Sequence, residues 1–361
     1  MTSTAQVTPR RILILRLSSI GDIVLTSPLI RILRRRLPEA QIDFAVKSQF
    51  VDPVRANPYL NDILPLDTRS GWRGLRDLKN EIRRRRYDLI IDIHNNFRTT
   101  YLRNIGGVPS VKVKKFKLQR FLLVQFGLDV YRKIVPVHQR YLDAAAHLTL
   151  QDDGAGLDFF IDSETPIRID RLLADLGRSS DRPTVGLAPG AGFFTKRWPQ
   201  DYFVQVAEQL IADYGAQIIL LGNDKEIEVC RFIESKVPAV NAAGRLSLME
   251  SAAVLNLCDL VICNDTGLMH IASALKKPLV AIFGPTTRQL GFFPLGADSR
   301  VVENLNLGCR PCTHIGRHRC PKKHFKCMRE IFPNQVLQAA KSVLERKSCL
   351  KNPQKKDILT P

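Results

Sequence analysis

The stretch LVICNDTGLMH, residues 260–270, joins a short apolar run to a helix-like run through small and polar residues. Residues 260–263 are apolar and suit a strand that is buried on both faces. A helix that begins at Thr266 and Gly267 directs its free backbone N–H groups back towards Asp265. Such a helix start binds anions and suits a diphosphate. His270 lies on the first helical turn, where a role in packing and a role in ligand binding are both open.

The same alternation of strand and helix extends over the whole chain. The predicted strands are 12–17, 42–46, 63–66, 89–93, 184–188, 217–221, 260–263 and 279–283, and the predicted helices are 23–37, 75–86, 202–214, 225–236, 248–257 and 268–275. Apolar strands that alternate with helices predict parallel sheets covered on both faces. Two such series predict an α/β protein with two doubly wound domains. We expect these domains at residues 10–165 and 182–346, followed by a basic, disordered tail at 347–361.

Charge is distributed unevenly along the 361 residues, whose net charge is +19. Residues 1–150 hold 27 lysines and arginines against 12 acidic residues, a net charge of +15, which leaves +4 for the remainder. A field of this sign favours an anionic partner such as nucleic acid, anionic lipid or a phosphorylated substrate, and a solvated basic surface is the alternative. No apolar run reaches the roughly 18 residues of a membrane span, and no signal peptide is recognisable. We therefore expect a cytoplasmic protein.

Ligands of open parallel sheets bind beyond the carboxyl ends of the strands, so the loops after the strands carry the functional predictions. After the first strand, RLSSIGD at residues 16–22 places small residues and a glycine at a helix start. Asp22 is either a functional carboxylate or a helix-capping one. After the fourth strand, HNNFRT at residues 94–99 either lines a cleft or forms an ordinary loop.

Two loops of the second half carry further polar groups. PGAGFFTKRWP at residues 189–199 offers glycines that permit close backbone approach and a lysine, Lys196, for a phosphate. GNDKE at residues 222–226 holds a carboxylate that suits either ribose hydroxyls or a helix start. The chain has no GxGxxG, Walker, HExxH or GxSxG motif, so nothing in it indicates a catalytic metal.

Together these stretches resemble glycosyltransferase family 9, whose best-known members are the ADP-heptose:lipopolysaccharide heptosyltransferases. The resemblance runs from about residue 11 to about residue 344 and rests on SSIGDIVLTSPLIRILRRRLP at 18–38, PGAGFFTKRWP, and NDTGLMHIASALKKPLVAIFGPT at 264–286. It implies a GT-B architecture, in which two Rossmann-like domains face each other across a cleft. The first domain would take a lipid-linked acceptor and the second a nucleotide sugar. It also implies inverting transfer without a metal.

The resemblance also implies roles for individual residues. Asp22 corresponds to the proposed catalytic base, and the donor-binding residues are Gly190, Thr195, Lys196, Glu226, Asp265, Thr266, Gly267 and His270. Acceptor-binding candidates are Ser18, Ser19, Asn95 and Arg98, with Arg103, Lys112, Lys114, Lys115 and Lys117 as further basic candidates.

The expected function is transfer of a heptosyl group from ADP-heptose to the lipopolysaccharide inner core. No cofactor is required, and the inner-membrane face is an expected peripheral partner. The alternatives are a same-family transferase with another nucleotide sugar or acceptor glycan, and a basic nucleic-acid-binding protein with a zinc knuckle. No nucleic-acid-binding motif supports the latter, and no nucleic-acid partner is expected.

The cysteines fall into two groups. Cys230, Cys258 and Cys263 lie in apolar patterns and are predicted to be in the core. The second group is Cys309, Cys312, Cys320 and Cys327. Its first CxxC spacing suits zinc and its later spacings are unusual, so a structural zinc site, disulfides and free thiols are all open readings.

Overall fold

This computed structural model describes residues 8–179, 181–296 and 298–351, with side chains up to residue 345. The chain forms two compact units. The first comprises the chain up to Lys115 together with Val135–Phe160, and the second comprises Phe116–Ile134 and the chain from Ile161 onward. The segment 116–134 therefore belongs to the second unit, although the sequence placed it within the first domain. Of the predicted disordered tail, residues 347–351 continue the last helix and residues 352–361 lie outside the described residues.

The strands are β1 Arg11–Leu15, β2 Gln41–Lys47, β3 Asp62–Leu66, β4 Leu89–Asp92, β5 Ser110–Lys112, β6 Thr184–Ala188, β7 Gln217–Leu220, β8 Ala239–Asn241, β9 Leu260–Asn264, β10 Leu279–Phe283 and β11 Ser299–Glu303. The helices are α1 Ile20–Val24, α2 Ser27–Arg36, α3 Asp52–Arg55, α4 Gly71–Arg84, α5 Phe97–Arg103, α6 Lys117–Phe126, α7 Val137–Ala144, α8 Glu164–Asp175, α9 Gln200–Tyr214, α10 Ile227–Glu234, α11 Leu248–Leu257, α12 Gly267–Ala274, α13 Lys326–Arg329 and α14 Pro333–Lys351. None of the helices in the described part of the chain is long and apolar enough to cross a bilayer.

The first unit is built on a five-stranded parallel sheet with the order β3-β2-β1-β4-β5. Ile12 on the central strand β1 pairs with Ile42 on one side and Leu89 on the other. Residues 12–15 of β1 are fully buried, because helices cover both faces of a parallel sheet. This burial explains why β1 is a continuous apolar run rather than an alternating one.

The second unit has a six-stranded parallel sheet with the order β11-β10-β9-β6-β7-β8. Counted from β6, this is the 3-2-1-4-5-6 order of doubly wound nucleotide-binding folds. Helix packing against its central strand is close, since a Cβ atom on Gly186 would lie 2.9 Å from Sγ of Cys258. Cys230, Cys258 and Cys263 are buried in this unit, which confirms their predicted place in the core.

The strand order reverses between β1 and β4 in the first unit and between β6 and β9 in the second. Ligands of doubly wound sheets bind at such reversals, beyond the carboxyl ends of the strands. The loops and first helical turns that follow these four strands contain Asp22, residues 94–99, residues 189–199 and the Asp265–His270 stretch. The topology therefore gathers the predicted loops at the binding edge of each sheet.

The expected α/β fold with two Rossmann-like, doubly wound units is confirmed. All eight predicted strands are present, while the short strands β5 and β8 and the partly exposed β11 escaped prediction. The predicted helix at 23–37 is interrupted, because α1 ends and α2 begins afresh with Pro28 in its first turn. The interval between the two expected domains, residues 166–181, is occupied largely by α8.

Candidate active site

Asp22 lies in the first turn of α1, directly after the central strand of the first sheet. Its Oδ2 accepts a hydrogen bond of 2.7 Å from Oγ of Ser19 and one of 3.3 Å from the Ser19 backbone N–H. Its Oδ1 lies 2.6 Å from Nη2 of Arg16, and the hydroxyl of Tyr141 donates to it at 3.4 Å. The side chain is 18% exposed, so this held carboxylate still reaches the surface. Asp22 therefore caps the N-terminus of α1 and also places a negative charge near the protein surface.

The charge on Asp22 is maintained by its neighbours. Burial by itself would raise the pKa of Asp22, but the Arg16 guanidinium and the hydrogen bonds from Ser19 outweigh it and hold the pKa below its ordinary value. Arg16 is fixed in turn by a 2.8 Å hydrogen bond from Nη1 to the Ile93 carbonyl, and its guanidinium lies 5.6 Å from the centre of the Tyr141 ring. Asp22 is therefore ionised at neutral pH.

His94 follows β4 and carries a neutral imidazole. Burial lowers the pKa of His94 to about 3, and the positive charges of Arg16 and Lys115 contribute in the same direction. Its Nδ1 is buried and makes no hydrogen bond within the described part of the chain. A neutral ring nitrogen with no protein partner suits a substrate hydroxyl.

The predicted acceptor residues divide into accessible and structural ones. Ser18 is half-buried, and Ser19 and Arg98 are exposed. Asn95 has a left-handed backbone (φ 47°), and its Nδ2 donates to the Val113 carbonyl at 2.9 Å. The further candidate Arg103 forms an ion pair with the buried carboxylate of Asp92. The amide of Asn95 and the guanidinium of Arg103 thus hold the edge of the sheet together.

In the second unit, Lys196 and Asp265 form an ion pair with 2.7 Å between Nζ and Oδ2. The two side chains are 15% and 7% exposed, respectively. The hydroxyl of Thr286, which follows β10, donates to the same Oδ2 at 2.8 Å. The Asp265 carboxylate, which also accepts the Thr286 hydroxyl, therefore holds the Lys196 ammonium group in one position.

Asp265 directly precedes the start of α12. Thr266 is the N-cap residue with extended backbone angles (φ −142°, ψ 177°), and Gly267 is the first helical residue. Oγ1 of Thr266 is buried and has no hydrogen-bond partner among the residues described. His270 is 3% exposed and packs edge-to-face against Phe292, with ring centres 6.5 Å apart. The unsatisfied N–H groups of the helix, the Thr266 hydroxyl and the Lys196 ammonium together suit an anion.

A cavity of 580 Å³ lies between the loops after β6 and β7 and is lined by Gly190, Glu226 and Phe194, among others. Oε2 of Glu226 accepts a 2.9 Å hydrogen bond from the Asn223 backbone N–H, and burial raises the pKa of Glu226. A Cβ atom on Gly190 would lie 2.1 Å from the Glu226 carboxyl group, so only glycine leaves room for that carboxylate. Gly190 and Glu226 therefore act as a matched pair in this cavity.

Other residues of these loops make hydrogen bonds within the protein. Nδ2 of Asn264 donates to the Pro189 carbonyl at 2.7 Å, and its Oδ1 accepts from the Trp198 backbone N–H at 3.2 Å. The hydroxyl of Thr195 donates to the Arg317 carbonyl at 3.1 Å and accepts from the Arg317 N–H at 2.8 Å. Thr195 thus ties its loop to the cysteine-containing segment, and its contact with a donor stays a prediction.

The cysteine-containing segment supports the site through Arg310. This guanidinium donates to the Thr286 carbonyl at 2.9 Å, contacts the Gly284 carbonyl, and pairs with Glu303 at 2.7 Å. The seven cysteines that the structure describes are free thiols. Sγ of Cys309 lies 3.9 Å from Nε2 of His324. Over residues 8–179, 181–296 and 298–345, the side chains form no group of three or more metal ligands.

Several residues of the candidate site were not predicted from the sequence. Arg16 precedes Asp22 by six residues, and its position at the end of a buried strand was the available signal. Tyr141 lies 119 residues from Asp22 and no sequence pattern links the two. Thr286 falls within a family-like stretch, but nothing in its spacing predicts a hydrogen bond to Asp265.

Comparisons with known proteins agree with this architecture. The sequence profile of glycosyltransferase family 9 (heptosyltransferase) matches residues 75–323. Lipopolysaccharide heptosyltransferase 2 of Escherichia coli K12 is 26% identical, over 92% of this chain and 98% of its own. A family 9 glycosyltransferase of Veillonella parvula has the same fold, with a TM-score of 0.79 at 24% identity over 93% and 98% of the two chains. The structure of E. coli ADP-heptose lipopolysaccharide heptosyltransferase II gives a TM-score of 0.72 at 24% identity over 94% and 99%. The profile match covers more than half of the chain, which therefore belongs to glycosyltransferase family 9, the heptosyltransferase family.

Proposed function

We propose that this glycosyltransferase moves a heptosyl group from ADP-heptose to the lipopolysaccharide inner core, with inversion at the anomeric carbon and without a metal. The observation that carries the proposal is the Lys196 ammonium group, held 2.7 Å from Asp265 beside the start of α12. Relatives named for lipopolysaccharide heptosyl transfer and for ADP-heptose support the choice of acceptor and donor.

The donor side must stabilise a departing nucleoside diphosphate. Negative charge builds on the diphosphate as its bond to the anomeric carbon breaks. The N–H groups at the start of α12, the Thr266 hydroxyl and Lys196 supply fixed positive ends for that charge, which is the role that a metal ion plays in other enzymes. We assign Asp265 the role of holding Lys196, and Glu226 the role of accepting hydrogen bonds from ribose hydroxyls. Gly190 leaves the space that Glu226 occupies.

The acceptor side must remove one proton. A single displacement inverts the anomeric carbon: the acceptor hydroxyl oxygen forms the new bond while the diphosphate leaves with its electron pair. Asp22 accepts the hydroxyl proton as general base, which typically contributes 10²–10⁴-fold to the rate. We assign the neutral imidazole of His94 the role of binding an acceptor hydroxyl.

The charge of the first 150 residues, +15, suits a phosphorylated, lipid-linked acceptor. A lipid-linked acceptor would bring the protein to the inner face of the inner membrane as a peripheral enzyme. Several candidates are accessible for contact with that acceptor: Ser18 is half-buried, and Ser19, Arg98, Lys112, Lys114 and Lys117 are exposed.

The test is a transfer assay with purified protein, ADP-heptose and lipid acceptors truncated to successive inner-core lengths. We expect turnover that is unaffected by EDTA and a product whose anomeric configuration, read by NMR, is opposite to that of the donor. The variant Asp22→Asn should lose about 10²–10⁴-fold in kcat while it retains ADP binding. Asp67→Asn, in an exposed loop of the same unit, is the matched control.

Each outcome has a definite meaning. Turnover of another nucleotide sugar in place of ADP-heptose would assign the chain to a different reaction in the same family. Retention of configuration would exclude the single displacement. Loss of ADP binding in Asp22→Asn would make Asp22 a structural residue.

A further inference from the structure

Helix α6, residues 117–126, carries its large apolar side chains towards solvent. Leu118, Phe121 and Phe126 are 66%, 53% and 63% exposed, while Leu123 is the one residue of this helix that is buried. An ordinary surface helix turns its apolar stripe to the core and its polar residues to water. In α6 the exposed residues Leu118, Phe121 and Phe126 stand beside exposed Lys117 and Gln125, while the polar residues Gln119 and Arg120 are half-buried.

The outward apolar surface continues beyond the helix. After Gly127, Leu128 and Val130 are 55% and 45% exposed, and Ile134 is 37% exposed. The rings of Phe121 and Phe126 pack edge-to-face on the surface, with centres 5.8 Å apart. Six large apolar side chains exposed within 17 residues of sequence are unusual for a solvated surface, and exposed apolar surface of this kind marks binding sites. We call the segment Phe116–Ile134, which belongs wholly to the second unit, the apolar segment.

The charges of the apolar segment are almost all positive. Lys117, Arg132 and Lys133 are exposed, and Arg120 is half-buried. The single acidic residue, Asp129, accepts a 2.9 Å hydrogen bond from Nε2 of Gln289 in the loop after β10. A ligand approaching the segment therefore meets phenylalanine and leucine side chains flanked by cationic groups.

This combination matches the surface of an anionic bilayer. Short helices with an apolar face and flanking lysines and arginines lie in the plane of the interface, with the apolar face among the acyl chains and the cations near the headgroups. Each basic residue near such a surface contributes about 1 kcal/mol of attraction. A second protein copy would offer apolar surface but also this same positive charge, which disfavours self-association. At ten residues, α6 is far shorter than a membrane span.

We propose that the apolar segment binds the surface of an anionic phospholipid bilayer, with α6 lying in the interfacial plane. The proposal rests on the proposed function for the peripheral membrane location, and it adds the protein surface and the class of lipid that would provide this location. It places the acceptor-binding enzyme where a lipid-linked substrate is found, yet its test needs neither donor nor acceptor.

Vesicle flotation tests the proposal with the full-length protein. The probes are vesicles of phosphatidylcholine alone and of phosphatidylcholine with phosphatidylglycerol in equal parts. We expect binding to the anionic vesicles only, weakened by salt. The double variant F121S/F126S should bind at least about tenfold more weakly, because two aromatic rings no longer enter the interface. The control L305S/F332S removes side chains that are 78% and 52% exposed elsewhere in the same unit, and should bind like the wild type.

The variants also separate this proposal from the proposed function. F121S/F126S should transfer sugar to a deacylated, water-soluble acceptor at the wild-type rate, so a failure of membrane binding and a failure of catalysis appear in different assays. Equal binding by F121S/F126S and the wild type would overturn the proposal, and so would equal binding to neutral and anionic vesicles. A third outcome would also overturn the proposal: the wild type does not bind vesicles, and light scattering shows a dimer for the wild type but not for F121S/F126S. A second copy of the chain would then be the partner of the apolar segment.

Discussion

Replacing Arg16 with methionine should move the acidic limb of the kcat/KM profile to higher pH. In the wild type, burial raises the pKa of Asp22 and the adjacent guanidinium more than reverses this effect. Removing the guanidinium leaves the burial in place, so the carboxylate should take up a proton at a higher pH than before. The proposed base is active only when ionised, and the rate of the variant should therefore fall at a higher pH on acidification than that of the wild type.

The structure sets the size of this change. Nη2 of Arg16 lies 2.6 Å from Oδ1 of Asp22, and the side chains are 10% and 18% exposed. Unit charges about 4 Å apart at an effective dielectric constant of about 20 attract by roughly 4 kcal/mol. An opposite charge at this range commonly lowers a carboxyl pKa by about 1 to 3 units. The acidic limb of Arg16→Met should thus rise by about 1 to 3 pH units.

The assay measures ADP release over a range of pH with one donor and one truncated acceptor. Because both enzymes use the same substrates, the titration of substrate phosphates cancels between the two profiles. Arg16→Lys retains the positive charge and should move the limb less than Arg16→Met. Coincident acidic limbs for Arg16→Met and the wild type would refute the reasoning, whatever happens to kcat, since a merely structural arginine lowers the rate without moving the limb.

Three further predictions concern single positions. Gly190→Ala should greatly reduce ADP affinity, measured by calorimetry, because a Cβ atom 2.1 Å from the Glu226 carboxyl group would displace that proposed ribose-binding group. The control Gly192→Ala should bind ADP normally, because no atom lies within 4 Å of its Cβ position. Lys196→Met should weaken ADP binding by about 10- to 100-fold, which corresponds to the loss of one charge-assisted hydrogen bond. An unchanged ADP affinity would show that Lys196 does not contact the donor. His94 has a folded pKa of about 3, so below about pH 6.5 the unfolded chain binds a proton that the folded chain does not. Stability should fall with acidification by up to about 1.4 kcal/mol per pH unit, and denaturant unfolding of His94→Asn should show a shallower fall.

The sequence predicted the central architecture well because buried parallel strands are short apolar runs. Residues 184–188 and 279–283 coincide with β6 and β10, and both strands are buried along their whole length. The edge strands β5, β8 and β11 lack such a fully buried run. β5 has three residues and none of them is buried, so no periodicity marks it.

Residues of the site were predictable where a loop follows a strand, and unpredictable where partners come from distant parts of the chain. Asp22, Lys196 and Asp265 could be named because each is a charged residue at a strand-to-helix junction. Tyr141 could not, because it reaches Asp22 from α7, which is remote in sequence. The exposure of the apolar side chains of α6 could not be predicted either, since periodicity alone does not say which side of a helix faces the core.

We propose opposite chemical roles for the two ion pairs. Asp22 of the first unit is the proposed base, and Arg16 holds its carboxylate ionised and oriented at some loss of basicity. Lys196 of the second unit is the proposed contact to the leaving diphosphate, and Asp265 holds its ammonium group. Exposure agrees with this division: Asp22 is more exposed than Arg16, and Lys196 is more exposed than Asp265. Because the more accessible member of each pair is the one proposed to reach substrate, removing Arg16 should change the pH dependence of the rate, whereas removing Asp22 should lower kcat and removing Lys196 should lower ADP affinity.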